Sequence, residues 1–205
     1  MKVIGIIGGV GSGKSEITKY ISKHFKACVI IADQVGHEVL EKDSPAYGVI
    51  VDYFGTTILD EHQNIDRKML GNIVFKDKKS LDWLNKTAHP LIYNKVTDKI
   101  YEAKNNQAYE LIVFEAAIMV EAHWLNLVDY VWLITCSETV RIERLMKNRH
   151  LPEEKIKNII ANQQSDQILG EYADTIIDNS FDREKTFHQV YIETLKVLEA
   201  KNENK

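Results

Sequence analysis

The sequence has few of the features that mark secreted or membrane-spanning proteins. Its 205 residues include only two cysteines, Cys28 and Cys136, which are far apart and each beside an apolar run. This usage predicts two buried, reduced thiols rather than a disulfide or a metal site. No apolar run approaches the about 20 residues that cross a bilayer, and the N-terminal apolar run meets glycines too early for a signal peptide. The expected location is therefore the cytoplasm.

An excess of basic charge is missing as well. The chain carries 26 lysines and arginines against 30 aspartates and glutamates, which gives a net charge of −4. Neither nucleic acid nor an anionic membrane is an expected partner, but a local basic pocket for a phosphorylated small molecule is compatible with this balance. With 3 prolines and no internal repeat, the sequence indicates one ordinary globular domain. The oligomeric state stays open, a monomer included.

Apolar, β-rich segments alternate with amphipathic helical segments along the chain. Five segments are predicted strands, at residues 2–7, 29–31, 109–115, 128–134 and 175–178, with a weaker candidate at 56–59. Predicted helices cover 14–24, the residues after His89-Pro90, 138–149, the residues after Pro152, and about 187–198. This alternation is typical of an α/β fold with a mainly parallel sheet flanked by helices, in which ligands bind at the carboxyl ends of the strands.

The clearest motif is GGVGSGKS at residues 8–15, which follows the first predicted strand and opens the first predicted helix. It matches the phosphate-loop pattern G-x-x-x-x-G-K-[ST] in full. The glycines let consecutive backbone N–H groups turn toward an anion. Lys14 can reach the β- and γ-phosphates, and the Ser15 hydroxyl can bind Mg²⁺. ATP and Mg²⁺ are the expected cofactors, and the predicted nucleotide-binding residues here are Gly8, Gly9, Val10, Gly11, Ser12, Gly13, Lys14, Ser15 and Glu16.

Two acids stand where predicted strands end, Asp33 just after 29–31 and Glu115 at the end of 109–115. Glu115 resembles a Walker-B acid, which reaches Mg²⁺ directly or through water. The N-K-x-D motif of GTPases does not occur in the sequence. Glu16 places a carboxylate in the first helical turn, where the helix dipole favours negative charge. Its side chain is expected to point to solvent.

The predicted helix at 138–149 is rich in cations. A phosphoryl-transfer site needs positive charge over the transferring group and a cover that excludes water, which is a competing acceptor. We assign Arg144 and Arg149 to such a lid. For Arg141 and Lys147 we predict a solvated helix face instead.

Together these motifs resemble the dephospho-CoA kinase family, whose members phosphorylate the 3′-hydroxyl of dephospho-coenzyme A with ATP. The similarity runs from IGIIGGVGSGKS, which begins at Ile4, to about residue 190. Besides the loop, the matching pieces are, in order, Ala32-Asp33, Phe54-Gly55, IDR at 65–67, Val74-Phe75, His89-Pro90, Glu121, Arg144-Leu145 with Arg149, Gln163, Ala173-Asp174 and IIDN at 176–179. The loop alone is common to many kinases, whereas this ordered set is specific.

The resemblance implies a role for each site residue. Asp33 would be the catalytic base, Arg144 and Arg149 would act from the lid together with Lys14 in the loop, and Asn179 would lie near the adenine. Acceptor binding would involve Asp33, Arg67 and His89, although His89 is equally well explained as a helix-start residue satisfied by local backbone. The implied P-loop kinase domain has a core at approximately 1–33, 106–136 and 170–200, a helical acceptor-binding region at 34–105, and a lid at 137–169.

The chain departs from the family pattern at a few positions. Ile31 stands where relatives often carry a second acid, Glu16 where threonine is usual, Ala117 in place of a proline, and Ala88 in place of a histidine. None of these changes removes a group that the chemistry requires, so the activity is expected to be kept. The alternatives are another small-metabolite or nucleoside kinase on the same core, or a nucleotide-binding regulator without catalysis.

Overall fold

The computed structural model describes residues 1–149 and 151–200, without the side chain of Arg149. Five strands form one sheet in the order β2-β3-β1-β4-β5. They are β1 (Lys2–Ile7), β2 (Ala27–Ile31), β3 (Leu111–Glu115), β4 (Tyr130–Thr135) and β5 (Thr175–Asp178). β1 pairs in parallel with both β3 and β4, and β4 pairs in parallel with β5. The predicted α/β fold with a parallel sheet is confirmed.

Helices connect the strands. They are α1 (Lys14–His24), α2 (Ala32–Val39), α3 (Pro45–Phe54), α4 (Arg67–Lys76), α5 (Lys78–Asn105), α6 (Glu138–Arg149), α7 (Glu153–Ala161), α8 (Asp166–Gly170) and α9 (Arg183–Glu199). In the described part of the chain, none of them is both long enough and apolar enough to cross a membrane.

Buried apolar side chains pack the sheet against the first and last helices, α1 and α9. Ile17 and Ile21 of α1 and Val190 of α9 pack in one cluster with Trp132 of β4, and all four are at most 1% exposed. Burial of this kind is worth roughly 1.5–3 kcal/mol per large side chain. Because α1 begins at Lys14, this packing also fixes the helix end that the phosphate loop leads into.

The chain divides into two compact units. The first comprises residues 1–30 and those from Ile100 onward, and contains helices α1 and α6–α9 and nearly all of the sheet. The second comprises Ile31–Lys99, with α2, α3, α4 and most of α5. The predicted assignment of residues 34–105 to acceptor binding and 137–169 to a lid remains a prediction.

Three local predictions were wrong. Residues 56–59 do not form a strand, because Thr56–Ile58 is a turn of 3₁₀ helix. The helix expected to begin near Pro90 instead begins at Lys78 and contains Pro90 in its interior. Its start is set by Asp77, whose carboxylate accepts backbone N–H groups of Lys79 and Ser80. Finally, Cys136 is buried as predicted but Cys28 is only half-buried, and neither forms a disulfide.

Candidate active site

The phosphate loop connects the end of β1 to the start of α1. Gly13 immediately precedes α1 and has a positive φ of 99°. A side chain there would be strained by this backbone conformation and would also overlap the amide group of Asn179. Glycine at this position therefore allows both the turn of the loop and its close approach to the residue that follows β5.

Lys14 lies over the start of the loop. Its Nζ donates to the carbonyl oxygens of Gly8 at 2.7 Å and Gly9 at 3.1 Å. These carbonyls hold the ammonium at the loop, where the sequence pattern requires it for the β- and γ-phosphates.

Ser15 and Glu115 come together at the beginning of α1. Ser15 Oγ donates to Glu115 Oε1 at 2.8 Å, and Thr18 Oγ1 donates to Glu115 Oε2 at 2.9 Å. Glu115 is only 7% exposed at the end of β3. Hydroxyl and carboxylate oxygens are the hard ligands that Mg²⁺ prefers. The described residues contain no cluster of three or more His, Cys, Asp or Glu side chains that could hold a metal by themselves.

Asn179 and Arg144 form hydrogen bonds to the middle of the phosphate loop. Asn179 is 4% exposed, and its Nδ2 donates to the carbonyl of Ser12 at 2.8 Å. Arg144 donates through Nη1 to the same carbonyl at 3.4 Å and through Nη2 to the carbonyl of Asn179 at 2.9 Å. Both residues predicted for the site from distant segments thus contact the loop in this structure. The side chain of Arg149 lies outside the described residues.

The prediction for Arg141 was wrong. It is not on a solvated helix face but 6% exposed, and it forms an ion pair with Asp166 of α8. Burial lowers the pKa of Arg141, but the hydrogen bond and charge of Asp166 outweigh burial and raise it. The partner is 25 positions away, so the i, i+4 pattern of α6 could not reveal it. Lys147 on the same helix is exposed, as predicted.

Gln163 also reaches the phosphate loop. Its Oε1 accepts the backbone N–H of Val10 at 2.9 Å. The sequence singled out Gln163 only as part of a family pattern and assigned it no role. Its position between α7 and α8 gave no signal of this contact.

Glu16 forms an ion pair with Arg183, the first residue of α9. Its side chain remains 37% exposed. The carboxylate of Glu16 is therefore turned toward α9 and paired with the guanidinium of Arg183. This pairing lowers the repulsion that Glu16 could exert on a bound polyphosphate.

The remaining predicted residues lie in the second unit. Asp33 is exposed in the first turn of α2, two residues beyond the end of β2. Arg67 begins α4 and lines a surface cleft of about 540 Å³ with His37, Asp60, Ile65, Asp66 and Lys68. His89 is half-buried within α5, and this burial lowers its pKa.

A complete phosphate loop between a strand and a helix of a parallel sheet, with a buried acid ending the neighbouring strand, defines a P-loop kinase-type protein. A family model for dephospho-CoA kinase matches residues 2–184. The chain therefore belongs to the dephospho-CoA kinase family, and it is an ATP-dependent kinase.

Individual relatives agree with this assignment. The chain is 33% identical to a dephospho-CoA kinase of Prochlorococcus marinus (strain MIT 9312), over 91% of this chain and 92% of the relative. It is 36% identical to one of Dehalococcoides mccartyi, over 88% and 89% of the two chains. The solved dephospho-CoA kinase of Campylobacter jejuni superposes with a TM-score of 0.68 at 25% identity, covering 97% of this chain and 98% of that one.

Proposed function

We propose that the chain transfers the γ-phosphoryl group of ATP to the 3′-hydroxyl of the ribose of dephospho-coenzyme A. The observation that carries this proposal is the phosphate loop, complete in sequence and in geometry, within a chain that matches the family model over residues 2–184. The products would be coenzyme A and ADP. The reaction uses two small molecules, and we expect it to take place in the cytoplasm.

Nucleotide binding is assigned to the loop and the start of α1. The backbone N–H groups of residues 8–16 would bind the phosphates, together with the positive end of the helix. Lys14 Nζ, which now donates to Gly8 and Gly9, would take phosphate oxygens in place of these carbonyls. Asn179 would keep the loop in shape and lie beside the adenosine.

Mg²⁺ is assigned to Ser15 and Glu115. The hydroxyl of Ser15 already donates its proton to Glu115, so its lone pairs remain available to a cation. Thr18 fixes the second carboxylate oxygen, which orients Glu115 as a supporting acid. When bound, Mg²⁺ would neutralise charge on the β- and γ-phosphates.

Asp33 is assigned as the base. Its exposed carboxylate in the first turn of α2 is available to an acceptor hydroxyl. Phosphoryl transfer passes through a loose transition state, so orientation of the hydroxyl counts for more than strong basicity. Arg67 and His89 would bind the acceptor within the region 34–105. The cleft beside Arg67 offers two adjacent cations, Arg67 and Lys68, to its phosphates.

Arg144 and Arg149 are assigned to the transition state, acting from the lid at 137–169. Arg144 now donates to the carbonyls of Ser12 and Asn179. The guanidinium therefore already lies at the loop to which the phosphates are assigned. Such cations stabilise the charge that spreads over the transferring group.

The test is a coupled assay of ADP release with a panel of acceptors. We expect release with dephospho-coenzyme A but not with nucleosides, nucleoside monophosphates, gluconate or shikimate, and loss of activity in Lys14→Ala. Asp33→Asn should lower turnover by about 100-fold or more with nearly unchanged ATP binding. Release with another acceptor would favour a different small-molecule kinase. ATP hydrolysis that no acceptor stimulates would favour a regulator.

A further inference from the structure

Two cations meet at Gly9 in the phosphate loop. Lys14 Nζ lies 3.1 Å from its carbonyl oxygen. Arg141 lies against its α-carbon, since a methyl group added there would come within 2.6 Å of Nη1 of the guanidinium. Gly9 is not among the glycines with a positive φ, so its missing side chain serves here to admit Arg141.

The burial of Arg141 is unusual for a residue with no role in the site. A guanidinium at 6% exposure loses most of its hydration, and a buried ion pair returns little or no net stability. Asp166 accepts from Nη2, and the Cys136 thiol is a second, weak partner of the guanidinium. Among the described residues, Nε of Arg141 has no hydrogen-bond partner. The fold thus holds an incompletely satisfied cation against the loop.

Beside Arg141, the side-chain oxygen of Gln163 already accepts a backbone N–H group of the phosphate loop. Gln163 Oε1 accepts the N–H of Val10 and would lie 3.2 Å from a methyl group on Gly9, next to Arg141. Backbone N–H groups of such a loop bind phosphate oxygens. The neutral amide oxygen of Gln163 therefore stands where a stronger, charged acceptor can replace it.

We infer that Arg141 is a further phosphate-contacting cation of the site, in addition to Lys14, Arg144 and Arg149, and that Gln163 yields the Val10 N–H to a phosphate oxygen when nucleotide binds. Asp166 is a positioning residue that holds the guanidinium fork at Gly9. This inference rests on the proposed function, because it assigns a ligand contact within the same loop.

The contact should involve the β- and γ-phosphates rather than the nucleoside. Lys14 is the residue that reaches those two phosphates in this motif, and Arg141 shares Gly9 with it. A planar guanidinium can hold two phosphate oxygens at once, whereas a lysine ammonium acts as a point charge. Arg141→Lys should therefore keep only part of the effect.

The test compares binding of ADP, AMP and inorganic tripolyphosphate by calorimetry in wild type, Arg141→Met, Arg141→Lys and Lys147→Met. Lys147 is a matched control, because it is an exposed cation on the same helix. We expect Arg141→Met to weaken ADP and tripolyphosphate by at least about tenfold, and AMP by much less. Arg141→Lys should be intermediate and Lys147→Met close to wild type. An equal loss for all three ligands, or no loss, would overturn the inference.

Asp166→Asn separates positioning from folding. The substitution leaves the buried guanidinium of Arg141 without its counter-charge, so the melting temperature should fall. A positioning role predicts that KM for ATP also rises several-fold at a temperature where the variant is fully folded. A drop in melting temperature with unchanged KM would mean that the pair is only structural, and would contradict the role of Asp166. Arg141→Lys keeps the charge and remains informative if Arg141→Met does not fold.

Two controls keep the inference distinct from the proposed function. Lys14→Ala must abolish tripolyphosphate binding if the loop binds phosphate at all. If wild type binds tripolyphosphate but Arg141→Met binds it equally well, the inference fails and the phosphate loop stands. If wild type itself binds no tripolyphosphate, the nucleotide site is wrong and the inference falls with it.

Discussion

The bond from Asn179 to Ser12 offers a direct test of how the phosphate loop keeps its shape. In Asn179→Ala the carbonyl of Ser12 would lose its 2.8 Å donor and keep only Arg144 at 3.4 Å. The bond from Arg144 to the backbone carbonyl of residue 179 does not depend on the side chain and would remain. The substitution therefore removes one contact of a buried loop and leaves its neighbour in place.

The expected cost follows from the burial of this amide. Asn179 is 4% exposed, and a buried carbonyl left short of a donor costs about 1–3 kcal/mol. For a chain of 205 residues, each kcal/mol lowers the melting temperature by roughly 2–4 °C. A phosphate loop that ADP must first order also binds ADP more weakly. A loss of about 1–2 kcal/mol in binding free energy corresponds to roughly a five- to thirtyfold loss of affinity.

The assay is a thermal unfolding curve together with calorimetric titration of ADP. Asn105→Ala is the control, because Asn105 makes the same kind of bond, from Nδ2 to the carbonyl of Tyr101 at 3.0 Å, but is exposed. It should melt and bind as wild type does. If Asn179→Ala also melted and bound ADP like wild type, the loop would not depend on Asn179 and the reasoning would be refuted.

Two further predictions follow from the site and from the second unit. Glu115→Gln should raise the Mg²⁺ concentration needed for half-maximal rate and lower turnover by at least about tenfold, with metal-free ADP binding little changed; a MgCl₂ titration with an unshifted midpoint would count against this assignment. Burial lowers the pKa of His89. Below about pH 6.5 the unfolded state therefore binds a proton that the folded state does not, so the free energy of unfolding decreases as the pH is lowered. Urea unfolding at pH 7.5 and 5.5 should show a smaller loss for His89→Gln than for wild type, and an equal loss in both would exclude His89 as a source.

Local sequence patterns predicted the strands and helices whose bounds are determined by neighbouring residues in the sequence. The strands at 2–7 and 175–178 and the helix at 14–24 have the predicted bounds, because β-rich apolar runs and the glycines of the loop determine them within a few residues. The helix start expected near Pro90 was wrong, since α5 continues through Pro90 although an interior proline removes one backbone hydrogen bond of a helix.

The contacts that complete the site come from distant parts of the chain and could not be predicted in this way. Arg141 forms an ion pair with Asp166, and the backbone N–H of Val10 donates to Gln163 across 153 positions. Neither Asp166 nor Gln163 stands at a sequence spacing that would distinguish it from a solvated residue. In contrast, Ser15 and Glu115 were predicted as a pair and do meet, because a loop after β1 and an acid ending the adjacent β3 fall on the same edge of a parallel sheet.

The most direct test of the proposed function is identification of the product. Purified chain, Mg²⁺, ATP and dephospho-coenzyme A should yield one ADP for each acceptor consumed, and mass spectrometry should find the acceptor heavier by one phosphoryl group. That product should support an enzyme that requires coenzyme A, which places the phosphate on the 3′-hydroxyl. ADP release with the acceptor recovered unmodified would contradict the account.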